Sequence, residues 1–331
     1  MNVKLKERLE LFSTNTQTMK KDFFWQDMLI KRLAALLYAV ENKNIDCDEI
    51  RKCHELIKKN TGVFSTFRGN MAICIASMLS LSENRDEQLS NTLTVYNSMK
   101  ESKFKASDYL AVAAYQIASD TDQLNYSKII DRTKAFYDGM KENHWFYTGK
   151  DDYIFAAMLG LSEINVNTGA ARMEQLHERL KSEFRFGNSI QALTQVLILG
   201  GESTETVNRL LRLRELFRDK KIRMDKEYTL SSLGVLSLLP TDVDTIADDV
   251  SKAYEFLRVQ KGFGALSVTN QELLLLSASV VASIYADDVK SGILTTTLST
   301  SITNIIIAQQ MVLTAAVATS AAASASSSSS S

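Results

Sequence analysis

Proline and glycine are scarce in this chain, and their scarcity excludes most folds that depend on frequent turns. The 331 residues include a single proline, Pro240, and 13 glycines. Proline removes a backbone hydrogen-bond donor and glycine weakens helix interiors, so a chain poor in both is typical of a helical protein. The sequence also lacks a convincing run of alternating apolar and polar residues, which is the pattern of a half-buried strand. It therefore predicts an all-α fold.

Cysteine and surplus charge are equally limited. The three cysteines, Cys47, Cys53 and Cys74, have neither the C-x-x-C spacing of a redox pair nor that of a zinc site. The 38 basic and 39 acidic side chains leave a net charge of -1, so no overall attraction to nucleic acid or to an anionic membrane is expected. The first ten residues are charged throughout and lack the apolar stretch of a secretory signal. We expect a cytoplasmic protein with reduced thiols, no cofactor, no metal and no nucleic-acid partner.

What the sequence does contain is a repeat of about forty residues. A bulky apolar residue recurs at steps of 38 to 41 residues and is followed each time by a stretch rich in Leu, Ala and Ser, then by a more charged stretch. A fixed period of this length is typical of stacked helix pairs. The seven marker residues are Phe24, Phe64, Phe104, Trp145, Phe184, Ile222 and Phe263.

The two stretches of each unit differ in polarity. The first is nearly free of charge, as in the segment 230–239, and so must be covered on most sides. The second carries charged residues along one side and is expected to face water. The sequence therefore predicts about seven α/α helical hairpins over residues 1–288, arranged as an inner and an outer row. It does not decide between an open solenoid and a closed toroid.

The C-terminal part of the chain has no charged residue after Lys290. Apolar residues at helical spacing predict a helix over 289–319, which would pack on the end of the array or contact a second copy of the chain. Ser, Thr and Gln interrupt this stretch, so no membrane span is expected. The Ala/Ser-rich segment 320–331 is predicted to be a disordered tail.

Several segments resemble one bacterial family. The sequence from His144 to Leu159, HWFYTGKDDYIFAAML, is similar to a segment that reads roughly HPFLTGxDD…AALLA in the family labelled domain of unknown function 4003, although Trp145 replaces the expected proline. The segments Phe67 to Asn70 and Ser232 to Leu236, together with the Ala/Ser tail, also resemble that family. The resemblance covers about residues 20–320 and implies a bacterial, cytoplasmic setting, but no catalytic residue.

The segment Thr148-Gly149-Lys150-Asp151-Asp152 is the most site-like motif because it leads into a predicted helix. Free backbone N–H groups at a helix N-terminus, with Lys150 beside them, could hold an anion. The paired carboxylates of Asp151 and Asp152 could instead hold a divalent cation. The simpler interpretation is that Thr148 and the two aspartates cap the helix. We take Thr148, Lys150, Asp151 and Asp152 as candidate ligand-binding residues, with no catalytic residue assigned.

Three other features carry weaker signals. The histidines His54, His144 and His177 lie in different units, and the sequence suggests no carboxylate or cysteine at metal-ligand spacing beside them. The basic stretch from Arg209 to Arg223 is interpreted as a solvated helix face. The short links Lys103-Phe104-Lys105 and Glu183-Phe184-Arg185-Phe186 place an apolar residue beside basic ones. The apolar residue is expected to fill the gap between units, which leaves the basic residues along one edge.

These patterns favour a non-catalytic helical-repeat scaffold that binds a protein or peptide partner, because stacked repeats form extended binding surfaces and no catalytic set is visible. The alternative is an α/α-toroid enzyme or small-ligand binder with its site near Thr148, Asp151 and Asp152. A homo-oligomer formed through the C-terminal helix is a further expectation.

Overall fold

A computed structural model describes the backbone of residues 1–143 and 146–289. Within these residues the chain contains fourteen α-helices, three short 3-10 helices and no β-strand, which confirms the predicted all-α class. The α-helices are α1 (Val3–Asp22), α2 (Met28–Val40), α3 (Cys47–Asn60), α4 (Ala72–Ser80), α5 (Arg85–Glu101), α6 (Asp108–Asp120), α7 (Tyr126–Asn143), α8 (Tyr153–Leu161), α9 (Val166–Leu180), α10 (Gly187–Leu199), α11 (Thr204–Asp219), α12 (Leu230–Leu238), α13 (Val243–Arg258) and α14 (Asn270–Val289).

The helices alternate between two types along the chain. The odd-numbered helices are amphipathic: α3, for example, buries Cys47, Ile50, Cys53 and Ile57, which lie on one face because they are three or four residues apart. The even-numbered helices are apolar, and every residue of α4 is buried. The even-numbered, apolar helices therefore lie inside the molecule, while the amphipathic helices separate them from solvent.

Capping residues and glycine set several helix ends. The hydroxyl of Thr269 accepts a hydrogen bond of 3.1 Å from the backbone N–H of Glu272 at the start of α14. Gly201, just beyond α10, has a positive φ of 72°, the left-handed conformation that favours glycine after a helix. These two positions account for the start of one apolar helix and the end of another.

The helix pairing differs in phase from the sequence prediction, which paired each apolar helix with the charged helix after it. In the structure each amphipathic helix packs extensively on the apolar helix that follows it, from α1 with α2 to α13 with α14. Contacts across the intervening steps, such as α2 with α3, are sparse. Periodicity cannot reveal this phase, because a repeat of two helices looks the same whichever helix is counted first.

Two arginines explain part of this pairing. Arg132 on α7 and Arg209 on α11 each donate hydrogen bonds to three carbonyl oxygens at the C-terminal end of the next apolar helix. The acceptors lie 28, 30 and 32 residues further along the chain in both cases: Gly160 (2.8 Å), Ser162 (2.6 Å) and Ile164 (2.8 Å) for Arg132, and Ser237 (3.0 Å), Leu239 (2.6 Å) and Thr241 (2.7 Å) for Arg209. Each side chain thus satisfies carbonyls that a helix end leaves unpaired.

Not all marker residues fill gaps between units. Phe104, Phe184 and Phe263 are buried as expected, but Phe24 and Phe64 are exposed. Their neighbours Phe23 and Phe67 are buried instead, each 1% exposed. Several aromatic residues lie close together in each of these two links. The repeat period is accurate only to a few residues, so it does not identify the aromatic residue whose side chain is buried. Trp145 lies outside the described residues.

The last helices contact the first. Helix α14 packs against α1 and α2, and α13 packs against α1. The rings of Phe12 on α1 and Phe263 before α14 meet edge to face with centroids 5.3 Å apart. Arg32 on α2 forms an ion pair with Glu272 on α14, Nη1 to Oε1 at 2.7 Å, with both side chains buried.

The predicted helix over 289–319 and the predicted tail over 320–331 fall on residues beyond 289, which lie outside the described part of the chain. Among the helices of the described residues, none combines the length and apolar character needed to cross a bilayer.

Candidate functional site

The candidate motif lies in the link between α7 and α8. Residues Lys150–Asp152 form a short 3-10 helix that continues directly into α8. Gly149 precedes it in an extended conformation, and its N–H donates to the Asp152 carboxylate at 2.9 Å. The expected capping role of the second aspartate is therefore present as a hydrogen bond that closes this turn.

Asp152 is the buried centre of the motif. Its side chain is 4% exposed, and its Oδ1 accepts hydrogen bonds from Gln191 Nε2 at 3.0 Å and Gln195 Nε2 at 2.8 Å. Thr148 is also buried, and its hydroxyl oxygen accepts from the same Gln191 amide at 3.1 Å. Two glutamines on α10 thus hold the start of α8 against the neighbouring apolar helix.

The surroundings of Asp152 change its acidity. Burial, followed by the neighbouring Asp151 carboxylate, raises the pKa of Asp152 to about 7, although hydrogen bonds from Gln195, Gly149 and Gln191 act in the opposite direction. A carboxyl group with this pKa exchanges its proton near neutral pH. Ordinary aspartates are fully ionised there.

The side-chain amide of Gln195 can form a hydrogen bond with Asp152 in either of its protonation states. Its Nε2 donates to Asp152, while its Oε1 is buried without a hydrogen-bond partner in the described part of the chain. A half-turn of the amide exchanges the two atoms, so that a protonated Asp152 can donate to Oε1. The Asp152–Gln195 pair can therefore satisfy either protonation state through the same contact.

Aromatic rings lie beside the cluster. The rings of Tyr137 and Tyr153 have centroids 5.1 Å apart, and Phe104 meets Tyr153 edge to face at 5.0 Å. The backbone N–H of Lys105 donates to the Tyr153 hydroxyl at 3.2 Å. Burial raises the pKa of Tyr137 and of Tyr109, and the nearby Asp151 and Asp152 carboxylates act in the same direction. Both phenols therefore stay neutral to a higher pH than an ordinary tyrosine.

Lys150 and Asp151 are separated from this buried centre. Lys150 is exposed, and its Nζ donates to the carbonyl of Ala106 at 3.4 Å. Asp151 is partly exposed and accepts from Asn188 Nδ2 at 3.4 Å. The four predicted residues thus form two pairs, one buried and one at the surface, in which Lys150 contacts the link 102–107 and Asp151 contacts the start of α10.

Sequence reasoning missed Gln191 and Gln195. They lie one helical turn apart on α10, whose other residues are mostly apolar, and this pattern was the available signal. Two amides on one face of a buried helix require polar partners, and the Oδ1 atom of Asp152 and the Thr148 hydroxyl provide them.

One histidine has acidic neighbours that the sequence analysis did not recognise. Glu174, His177 and Glu178 lie on one face of α9, and ligand atoms of the three approach within 4.8 Å of one another. The expectation that no carboxylate lies at ligand spacing from His177 was wrong, because residues three and four apart meet on a helix. His144 lies outside the described residues.

The basic stretch on α11 and the following link is mostly paired. Arg214 binds Glu183 at 2.7 Å, and Lys220 binds Asp248 at 2.5 Å. Arg209 holds the carbonyls at the end of α12. The stretch is therefore more than a solvated helix face, because several of its cations connect α11 with neighbouring elements.

Comparison with known proteins identifies the family. The family model described as "Protein of unknown function (DUF4003)" matches residues 15–311, and the chain belongs to this family. A similar relative is the "Uncharacterized protein YeaA" of Bacillus subtilis (strain 168), which is 24% identical over 224 residues, or 66% of this chain and 68% of the relative. No solved structure matches the chain. The family resemblance predicted from the segment around Thr148 is confirmed.

Proposed function

We propose that this member of the DUF4003 family is a non-catalytic scaffold, a closed α/α toroid of seven hairpins, that binds a protein or peptide partner through one end of the ring. The observation that carries the proposal is the concentration of exposed apolar side chains in the links that follow the amphipathic helices. We call these seven segments, whose summed charge is positive, the basic links: 23–27, 61–71, 102–107, 146–152, 181–186, 220–229 and 259–269.

Contacts between consecutive apolar helices support the ring. Helix α2 contacts α4, α6 contacts α8, α8 contacts α10, α10 contacts α12, α12 contacts α14, and α14 returns to α2, while α4 and α6 both contact the short 3-10 helix Thr66–Arg68. An open solenoid would leave the first and last hairpins apart. On this proposal residues 1–288 form one repeat domain.

One hydrogen bond between two basic links, and two more from basic links to neighbouring helices, support the placement of the links at one end of the ring. Lys150 donates to Ala106 in the preceding link, and the residue after it, Asp151, accepts from Asn188 just beyond the following link. Gln17 near the end of α1 donates to the carbonyl of Lys261 in the last of these links.

The basic links carry most of the exposed large apolar side chains. Among the described residues, twelve large hydrophobic side chains are exposed, and nine of them lie in these links. Phe24 and Phe64, the markers that point away from the core, are two of the nine, with Phe24 77% exposed. Exposed apolar groups gathered in one region are typical of interaction surfaces. The full set is Phe24, Trp25, Val63, Phe64, Phe146, Tyr147, Phe186, Val259 and Leu266.

Thiol chemistry supports the cytoplasmic setting that we propose. The three cysteines are buried and unpaired. Burial raises the pKa of Cys47 and Cys53 to about 11 and that of Cys74 to about 12, which suppresses the reactive thiolate. Unpaired, unreactive thiols fit a reducing compartment.

A photo-crosslinking experiment tests the scaffold proposal. A benzophenone amino acid replaces Phe64 in a basic link or, as the control, Leu124 in the link between α6 and α7, and both variants are irradiated in the native host. We expect discrete protein adducts from position 64 and none from position 124, because Leu124 is equally exposed but lies in the other set of links. Adducts from both positions in equal yield, or from neither, would contradict the proposal.

The second candidate function is a small-ligand site at Thr148, Asp151 and Asp152, favoured by the pKa of about 7 at a buried carboxyl. Thermal-shift measurements with phosphate, small carboxylates and divalent cations test it. A ligand that raises the melting temperature of the native chain and not that of Asp152→Asn would support the site. Equal shifts in both proteins, or none in either, would remove it.

A further inference from the structure

We infer that the basic links bind an acidic segment of a protein partner, and that its carboxylates enter a cavity between the fifth and sixth of these links. The inference rests on the proposed function in using the same end of the ring, and it adds the chemistry of the partner. The cavity measures about 390 Å³ and is lined by residues of the links 181–186 and 220–229 and by Arg218 at the end of α11.

A buried carboxylate fixes two guanidinium groups at this cavity. Asp225 accepts from Arg218 Nη2 at 2.8 Å and from Arg223 Nε at 2.9 Å, and its side chain is only 6% exposed. The two arginine side chains remain about half exposed, at 42% and 55%. Arginines held in this way lose less conformational entropy when they bind a further carboxylate, because their orientation is already set.

Two more cations line the cavity without an acidic partner. Within residues 1–143 and 146–289, neither Arg185 nor Lys226 forms an ion pair, although both line the cavity. The two acidic side chains of the lining are already engaged: Asp225 by the arginines described above, and Glu183 by Arg214 at 2.7 Å. The cavity therefore has positive charge left over for an incoming anion.

The charge of the whole end agrees with that of the cavity. The seven basic links contain eleven Lys or Arg and six Asp or Glu residues, a surplus of five positive charges. The six links that follow apolar helices α2 to α12, at 41–46, 81–84, 121–125, 162–165, 200–203 and 239–242, contain one basic and seven acidic residues, a surplus of six negative charges. The two sets of links in an almost neutral protein thus carry summed charges of opposite sign.

Helix dipoles do not account for this division. Every link joins the C-terminus of one helix to the N-terminus of the next, so the dipole preferences for cations and anions oppose each other within the same link. Most links of one set nevertheless carry a net charge of the same sign, which needs another cause. Complementarity to a charged partner is the cause consistent with the exposed apolar groups.

The apolar side chains favour a polypeptide over a simple anion. Phe186 lies at the cavity and is 38% exposed, and Phe146 and Tyr147 are exposed in the preceding link. A peptide that alternates acidic and apolar residues presents carboxylates to the arginines and apolar groups to these rings within a few residues. Aromatic and arginine side chains together are the usual energetic centres of protein interfaces.

The test uses the full-length chain and a fluorescein-labelled peptide of alternating Glu and Leu, with a Gln/Leu peptide of equal length as the uncharged control. Fluorescence anisotropy should show binding of the Glu/Leu peptide that weakens with added salt. The double variant Arg185→Glu/Lys226→Glu should weaken it by about tenfold or more, since two attractive charges become repulsive. Lys43→Glu, in the link 41–46, is the matched control and should leave binding unchanged.

Three outcomes would overturn the inference: equal binding of the Gln/Leu peptide, equal loss with Lys43→Glu, or binding of anionic phosphatidylglycerol vesicles or inorganic phosphate in place of the peptide. None of these outcomes would contradict the scaffold proposal, which depends on protein crosslinks from position 64. Conversely, peptide binding without any protein crosslink in cells would support the acidic-ligand inference and contradict the scaffold proposal. Circular dichroism of each variant confirms that a loss of binding is not a loss of fold.

Discussion

Two contacts between neighbouring apolar helices each bury a carboxylate, and they stabilise it differently. Where α14 meets α2, Glu272 binds the guanidinium of Arg32 at 2.7 Å. Where α8 meets α10, Asp152 binds the neutral amides of Gln191 and Gln195. The first arrangement neutralises the charge, whereas the second only solvates it. Buried carboxylates of similar depth therefore differ in role: Glu272 joins two helices through an ion pair, whereas Asp152 has a pKa that burial raises to about 7.

The largest effect is expected at the contact of α14 with α2. Arg32→Ala removes the partner of Glu272 and three hydrogen bonds, two of them to the carbonyls of Gly262 and Ser267. We expect a loss of about 3–5 kcal/mol in the free energy of unfolding, because a buried charge remains uncompensated. Urea denaturation followed by circular dichroism measures it. The loss should be greater at pH 8 than at pH 5, since burial already raises the pKa of Glu272 and Arg32 opposes that rise. A loss below 1 kcal/mol would show that the contact does not depend on the ion pair.

Replacing both Arg32 and Glu272 separates the cost of an unpaired buried charge from the cost of lost packing and carbonyl contacts. Arg32→Met/Glu272→Leu removes the charges together and fills the same volume with apolar groups. We expect it to recover most of the stability lost in Arg32→Ala, because the cost of an unpaired buried charge disappears. The urea denaturation midpoints of the single and double variants measure how much stability is recovered. A double variant as unstable as Arg32→Ala would assign the effect to lost packing and to the carbonyl contacts.

At the contact of α8 with α10 we expect a pH dependence. The pKa of Asp152 is raised to about 7 in the folded chain, from an ordinary value of 3.8, so unfolding releases a proton between these values. Its contribution to stability is complete below pH 4 and is lost as the pH rises to 7, by an amount on the order of 4 kcal/mol. Comparison of the native chain with Asp152→Asn at pH 5 and pH 8 measures it. If the difference in stability between the two proteins is the same at both pH values, Asp152 does not titrate as described.

The smallest effect is expected at the arginines that bind helix ends. Arg132→Ala and Arg209→Ala each remove three hydrogen bonds from one guanidinium to backbone carbonyls. We expect each to lower the free energy of unfolding by about 1.5–3 kcal/mol. Arg212→Ala is the control, because Arg212 is exposed and lies 3.6 Å from Asp244, so a change within about 0.5 kcal/mol is expected. Equal losses in all three variants would contradict a specific role for the carbonyl contacts.

The sequence predicted the helical class and the alternation of apolar and charged helices because both depend on local composition. It could not predict which helix pairs with which, since a two-helix repeat has no visible beginning. The side chains of Phe24 and Phe64 illustrate the same limit: an adjacent aromatic residue fills the core position, and only tertiary packing selects between them.

The candidate motif was predictable only in part. The turn at Thr148 and the aspartates is visible in the sequence, because glycine and capping residues precede an apolar run. The division between buried Asp152 and the surface residues Lys150 and Asp151 was not visible. It depends on Gln191 and Gln195, which lie about forty residues away in sequence and reach Asp152 only after α8 and α10 have packed together.

The contact of α14 with α1 and α2 has a consequence for how such a chain can change in length. A solenoid grows by duplicating a unit, since each new hairpin needs only one neighbour. In the closed ring that we propose, an eighth hairpin would force α2 and α14, which carry Arg32 and Glu272, apart. On the same proposal, a cut in one of the links together with a new linker from α14 to α1 would keep the contacts among the described helices, so circular permutation is expected to disturb the molecule less than insertion of one more helix pair.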